Sequence, residues 1–355
     1  VTGTSAISEA PPAAMVDFLR RSGLAPSGHP VRWTPLTGGV SSDLWRADTP
    51  DLTVCVKAAL PTLRVAATWN APVGRNAVEV AWLRFAAEHA PRAVPRVLAH
   101  DADAGLFAME FLEPRRHPVW KAELMAGRID PVSARRVGDL VGRLAAASTH
   151  PDRRDALARR FATDDNFHRL RIEPYLLATA RRRPEVAGRL TELAQRTRAV
   201  RVALVHGDVS PKNVLLGPQG PVLLDAECAW WGDPAFDVAF CLNHLLLKAL
   251  VATPGDRPAR AQRLSLAAEA WWSGYVGHIS WESATELRAR AATLLPALLL
   301  ARIDGTSPVE YVTADEDRAL ARSFAVARLS ATGGTPDLLG TFADWERALS
   351  ARPAS

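Results

Sequence analysis

The feature that most constrains this chain is a pair of short apolar runs that both lead into polar side chains. The first is Leu204-Val-His-Gly-Asp-Val-Ser-Pro-Lys-Asn-Val-Leu-Leu216, and the second is Val222-Leu-Leu-Asp-Ala-Glu227. Apolar runs of this length, bounded by Gly, Pro, Asp and Asn, read as two buried strands around a loop. Turn-favouring Asp and Asn would account for a plain hairpin, but not for carboxylates at the ends of both apolar strands. The spacing His-x-Asp-x-x-x-x-Asn, then a strand, then Asp, calls for a hairpin that presents Asp208, Asn213 and Asp225 together.

On either side of this stretch the chain differs in character. After a lead over Val1–Pro12, a short amphipathic helix is expected with Met15, Phe18 and Leu19 on one face. Strand-like runs follow at Arg32–Leu36, Leu44–Ala47, Leu52–Ala58 and Leu106–Phe111, interrupted by one helix, Asn76–His89. Beyond Glu113-Pro114 the pattern is mainly helical, with helices expected at Pro131–Thr149, Arg153–Phe161, Glu173–Ala180, Glu185–Arg198, Ala235–Val251, Pro258–Gly277, Ala284–Arg302 and Asp315–Leu329. The expected class is α+β: a small β-rich lobe with one main helix over residues 1–112, a larger helical lobe over 113–355, and a cleft between them.

Charge and cysteine content exclude several partners. Lysine and arginine exceed aspartate and glutamate by 43 to 38, and the excess of +5 is not gathered in one block. The arginine-rich stretch Asp152–Arg201 also holds six acidic residues between Asp155 and Glu192, so it reads as solvated helix surface rather than a nucleic-acid stripe. Cys55, Cys228 and Cys241 are odd in number and sit among apolar residues, which suits buried free thiols in a reducing compartment. The apolar stretch around Val238–Val251 is interrupted by Asn243, His244 and Lys248, and no signal-peptide pattern is present. A soluble cytoplasmic protein without nucleic-acid or membrane partners is expected.

The polar set fits phosphoryl transfer from a nucleotide. That chemistry needs a carboxylate to orient an acceptor hydroxyl and take its proton, and oxygen ligands to hold a hard cation on the phosphates. Asp208 suits the first role, and Asn213 with Asp225 the second. Glu227 projects to the same side as Asp225 if the strand continues, and is a further candidate ligand. His206 reads as packing under the loop, and Asp237 as a helix-start residue bracing it. In the first lobe, Leu36-Thr-Gly-Gly-Val-Ser-Ser42 could fold over phosphates, with Gly38 and Gly39 permitting close approach and Ser41 and Ser42 donating. Lys57 could reach the α/β-phosphates with Glu79 as its ion-pair partner, and the Glu110 carbonyl and Leu112 amide could bond adenine. Trp230 and Trp231 could wall an acceptor pocket or pack in the lobe, and Arg302 could meet a substrate oxygen or bind helix-end carbonyls.

With these residues the chain resembles the aminoglycoside phosphotransferase and choline kinase superfamily, whose His-Gly-Asp-x-x-x-x-Asn loop stands at His206–Asn213 and whose Gly-Asp-Pro-x-x-Asp stretch stands at Gly232–Asp237. The resemblance implies a protein-kinase-like bilobal fold, ATP as donor, Mg2+ as cofactor and a small-molecule hydroxyl as acceptor, in a monomer or homodimer. Within the superfamily the chain is similar to the methylthioribose kinases at Lys57–Pro61 with Arg64, Arg75–Leu83, His117–Gly127, Asp225–Glu227 and Arg302–Gly305. It departs from them at Asn213, where they carry serine, and at Ala301, where they carry a second arginine beside the position of Arg302. A kinase of a sugar-like or amino-alcohol hydroxyl is expected. The alternatives are an antibiotic-inactivating phosphotransferase and a pseudokinase binding module, and the intact Lys57, Glu79, Asp208, Asn213 and Asp225 speak against the last.

Overall fold

The computed structural model describes residues 10–26, 28–36, 42–60, 74–331 and 336–351. Two compact units divide the chain, Val1–Glu113 and Pro114–Ser355.

The first unit is built on an antiparallel sheet of five strands: β1 (Arg32–Pro35), β2 (Ser42–Asp48), β3 (Thr53–Ala59), β4 (Val97–Asp101) and β5 (Leu106–Glu110). Their spatial order is β1-β2-β3-β5-β4. Strand alternation sorts β3 cleanly between the two faces. Val54 and Val56 join Met15, Phe18 and Leu19 of helix α1 (Ala13–Arg21) in one apolar cluster, as the helical stripe predicts. Cys55 and Lys57 point the other way, where Lys57 meets helix α2 (Arg75–His89). The sequence reading lacked β4, whose run Val97-Leu-Ala-His-Asp101 is half-buried throughout and has a register shift between Val97 and Ala99.

The second unit begins with α3 (Trp120–Met125), α4 (Pro131–Ser148), α5 (Pro151–Arg160) and α6 (Asp164–Phe167). A π-helical segment, His168–Leu177, then runs into α7 (Ala178–Arg182). The remaining described helices are α8 (Ala187–Ala199), α9 (Ala235–Lys248), α10 (Arg257–Val276), α11 (Ala284–Asp304), α12 (Asp315–Ser330) and α13 (Gly340–Ser350). Every residue of α9 is buried, as an almost uniformly apolar helix must be. Helices α4 and α10 meet backbone to backbone: a Cβ on Gly138 would lie 1.9 Å from the Trp271 carbonyl oxygen, and one on Gly274 would lie 2.2 Å from that of Arg135. No described helix is long and apolar enough to cross a membrane.

Four short strands complete this unit: β6 (Ala203–Val205), β7 (Val214–Gly217), β8 (Gly220–Leu223) and β9 (Trp230–Gly232). Here the pairing differs from the single hairpin expected. β7 pairs with β8, whereas β6 pairs with β9, so the loop after β6 lies between two separate ribbons. The β7–β8 turn is too short to include Asp208, and β6 finds its partner in β9, beyond both apolar runs.

Candidate active site

The loop after β6 is fixed mainly through its backbone. Asp237, in the first turn of α9, accepts hydrogen bonds from the His206 and Gly207 amides, both at 2.8 Å. The carbonyl of the same Gly207 accepts from Arg171 Nε at 2.5 Å. Gly207 itself has φ +79°, and a Cβ there would stand 2.6 Å from the Cys228 carbonyl oxygen, so glycine is required on both counts. The Asp208 amide donates to His206 Nδ1 at 3.2 Å, which gives His206 the structural role expected of it. Burial holds the His206 imidazole down at about 4, so the ring is neutral and able to accept that bond.

Asp208 is buried, and its carboxylate meets Arg171 at 2.9 Å and Lys212 at 3.4 Å. Burial opposes the charge on Arg171, and Asp208 more than restores it, so the guanidinium titrates above its ordinary value. Burial also pushes the Asp237 carboxyl up to about 7, against the pull of its two amide donors. Arg171 corrects the reading of Asp152–Arg201 as solvated surface throughout, because it is only 6% exposed. Two sequence signals mark it. It stands between Leu170 and Ile172, and Pro174 cannot donate to the Leu170 carbonyl four residues back, which accepts from Arg171 Nη1 at 2.7 Å instead.

Asn213 and Asp225 are brought to the same loop. Asn213 Nδ2 donates to the Asp208 carbonyl at 3.1 Å, and the Leu224 amide donates to the Asn213 carbonyl at 2.9 Å, which draws Asp225 alongside. β8 stops at Leu223, and Asp225 has φ +66°, alone in positive φ among the described non-glycine residues. That left-handed turn breaks the alternation on which the orientation of Glu227 was inferred. Glu227 is buried, in a segment whose carbonyl accepts from Asn166 Nδ2 at 2.6 Å. Of the two readings of Trp230 and Trp231 the structure agrees with lobe packing: they begin β9, 1% and 6% exposed, and Trp230 stacks on Phe167 at 4.2 Å.

Arg302, in the last turn of α11, donates through Nη1 to the Ser307 carbonyl and to Tyr175 Oη at 3.3 Å. It also lines a pocket of the second unit with Pro211 and Lys212 of the catalytic-type loop. Arg260 of α10 ties the scaffold behind this pocket, donating to the carbonyls of Lys248, at 2.7 Å, and of Leu124.

In the first unit the expected ion pair is present and dry. Lys57 Nζ meets Glu79 Oε2 at 2.7 Å, with both residues at or below 5% exposure. Ser42 opens β2, and its buried hydroxyl has no hydrogen-bond partner among the described residues. Glu110 ends β5, and Leu112 lies two residues beyond it. Gly38, Gly39 and Ser41 lie outside the described residues, as do Pro61 and Arg64.

A sequence profile described as the phosphotransferase enzyme family matches residues 32–275, more than half of the chain. The chain belongs to this family. Among curated relatives this phosphotransferase is 27% identical over 235 residues to the methylthioribose kinase of Yersinia pseudotuberculosis, covering 59% of this chain and 57% of the relative. It is 27% identical over 259 residues to that of Erwinia tasmaniensis, covering 64% and 63%. The match therefore spans about three fifths of the relatives' length. Among solved structures, an amicoumacin kinase in complex with AMP-PNP, Ca2+ and Ami superposes with a TM-score of 0.56 at 17% identity, over 92% of this chain and 96% of that one. A spectinomycin phosphotransferase in complex with ADP and spectinomycin gives 0.50 at 10% identity, over 96% and 100%. These likenesses establish a kinase-like α+β fold: an antiparallel sheet in the first third and a mainly helical remainder.

Proposed function

We propose that this phosphotransferase is an ATP-dependent small-molecule kinase that transfers the γ-phosphoryl group directly to an acceptor hydroxyl, with no phosphoenzyme. The observation that carries the reading is the convergence of Asp208, Asn213 and Asp225 on one loop whose backbone is locked by Asp237 and Arg171. The acceptor oxygen forms the new bond to the γ-phosphorus, the bond to the bridging oxygen of ADP breaks, and the hydroxyl proton passes to the Asp208 carboxylate. Arg171 holds that carboxylate in place through Oδ2, as a positioning residue. The donor set fits Mg2+. Asn213 commits its Nδ2 to the loop and so keeps its amide oxygen for a cation, while Asp225 adds a carboxylate and Glu227 is a further candidate. When bound, Mg2+ neutralises phosphate charge. In the first unit Lys57, steadied by Glu79, suits the α/β-phosphates, Ser42 and the adjoining Gly38, Gly39 and Ser41 suit the phosphate-covering loop, and Glu110 and Leu112 suit adenine.

The test is ADP release across sugars, amino alcohols and aminoglycosides, in wild type and Asp208→Asn. The variant is expected to lose turnover by roughly a hundredfold or more while binding ATP as before, because general-base assistance contributes on that scale. Loss of ATP binding in step with turnover would contradict the assignment of Asp208 to the acceptor. A wild type inert towards the whole panel would favour a binding module.

A further inference from the structure

The pocket lined by Arg302 and Lys212 holds an unusual set of side chains. Lys121 of α3, Lys212 of the loop after β6, Lys248 at the end of α9 and Arg302 of α11 all face it, against a single carboxylate, Glu310. Glu310 is itself paired to Lys121. Two donors in this wall are left over, and a third side chain has only an aromatic ring for a partner. Lys248 is 1% exposed, and its Nζ stands 3.6 Å from the Tyr311 ring centroid, with no hydrogen bond or ion pair among the described residues. The Tyr311 hydroxyl and Arg302 Nε are buried and have no hydrogen-bond partner among the described residues. Burial, then Lys121, pushes the Lys248 ammonium down to about 6, so an anion beside it is what restores its charge. Burying the two further donors without acceptors costs roughly 1–3 kcal/mol each. A wall that carries such a cost is built to receive something that repays it. His244, which also faces the pocket, senses the same field: burial, then Arg302, Lys248, Lys212 and Lys121, all push its imidazole well below the usual range.

The pocket adjoins the chemistry. Lys212 is one of its walls, and Lys212 Nζ lies 3.4 Å from the Asp208 carboxylate. From the pocket's composition and this adjacency we propose that the acceptor is an anion, a small polyhydroxy compound carrying a carboxylate or phosphate. Its charged group sits on Lys248, Tyr311 and Arg302, and one of its hydroxyls reaches Asp208. This rests on the kinase reading and gives it a substrate class. A polycationic aminoglycoside or a choline-like amine would meet three basic side chains, Lys212, Lys248 and Arg302, beyond the Lys121–Glu310 pair, and like charges at an interface of this kind repel. The γ-phosphoryl group is transferred as in the reaction above, with ATP as donor. The anion takes no part in bond making and serves to orient the hydroxyl.

The experiment compares gluconate and ribose 5-phosphate with their neutral counterparts glucose and ribose, and with glucosamine, in an ADP-release assay at saturating ATP. At least one anion is expected to exceed its neutral counterpart in kcat/KM by about tenfold or more, the scale of one charge-assisted hydrogen bond. Lys248→Met and Tyr311→Phe are each expected to raise the KM for that anion, Lys248→Met by roughly tenfold or more, with the effect falling on the acceptor rather than on ATP. Tyr311→Phe removes only one oxygen, so it reports on the pocket even if Lys248→Met folds poorly. Preference for glucose, ribose or glucosamine over the anions, or an anion KM unmoved in both variants, would overturn the proposal. If no compound in this panel or in the wider one above is phosphorylated, the kinase reading fails on its own. Calorimetric binding of gluconate and ribose 5-phosphate to the nucleotide-free protein then decides the pocket: binding weakened in Lys248→Met upholds an anion site, and absence of binding removes it.

Discussion

Replacing Arg171 by methionine should unfold the second unit more easily than any surface arginine change, and the size of the loss follows from its contacts. Arg171 supplies the 2.9 Å ion pair to Asp208 and the 2.5 Å hydrogen bond to the Gly207 carbonyl, with both pair members at or below 6% exposure. Removing one partner of a buried pair leaves the other charge uncompensated and costs about 3–5 kcal/mol. Lys212 remains at 3.4 Å from Asp208, but its side chain is 44% exposed and screened by water, so it recovers only part of this. For a unit of this size the loss corresponds to a melting temperature lower by roughly 6–20 °C. Urea denaturation followed by far-UV circular dichroism measures it directly. The decisive comparison is the double variant with Asp208→Asn, which removes the stranded charge along with the guanidinium. It should recover about 1–3 kcal/mol of the single-variant loss. A loss below about 1 kcal/mol for Arg171→Met, or strictly additive losses in the pair, would refute the view that Arg171 exists to hold this carboxylate.

The loop's two buried titrating groups should act in opposite directions on stability. His206 falls from 6.5 to about 4 on folding, so its contribution is complete above pH 6.5 and is lost as pH drops towards 4; the stability difference between wild type and His206→Asn should therefore grow with pH across that window, by about 3 kcal/mol. Asp237 rises from 3.8 to about 7, so the difference against Asp237→Asn should instead shrink as pH climbs from 4 to 7. Gly207→Ala should abolish turnover, because its Cβ collides with the Cys228 carbonyl and its φ of +79° alone costs about 1–2 kcal/mol; a fully active variant in the same assay would show that the loop can shift. Lys57→Met takes away the cation 2.7 Å from Glu79 and should speed hydrogen exchange in β3 and α2 while leaving the second unit's exchange untouched.

What the sequence revealed and what it hid follow from the range of the interactions. The loop from His206 to Asn213 was legible because its residues are bound to one another and to Asp237 within one short stretch of chain. Lys57 and Glu79 were legible only through the wider pattern, since by themselves a strand lysine and a helix glutamate read as solvated surface charges. Arg171 was not, since it sits in a stretch whose other arginines are mostly solvated, and only its apolar neighbours and Pro174 set it apart. The sequence left the placement of Trp230 and Trp231 open because it depends on β6 choosing β9 over the strand that leads to Asp225, a long-range pairing that local pattern does not specify. The cationic pocket is assembled from α3, α9, α11 and two loops, and no window of sequence contains it. One clue was present: Lys248 and His244 interrupt the apolar helix α9, and ionisable residues in such a setting need a reason.

The bonds from Arg260 have a consequence for how this enzyme can change over time. They fix α10 to the end of α9 and the end of α3 through the carbonyls of Lys248 and Leu124, without using the side chain of either residue. The framework that spaces the pocket's cations is therefore independent of the cations themselves. Side chains of the pocket wall can be exchanged without cutting either bond from Arg260. If this pocket takes the acceptor as proposed, substrate preference can drift, or be engineered, one side chain at a time on a backbone frame that does not change with it.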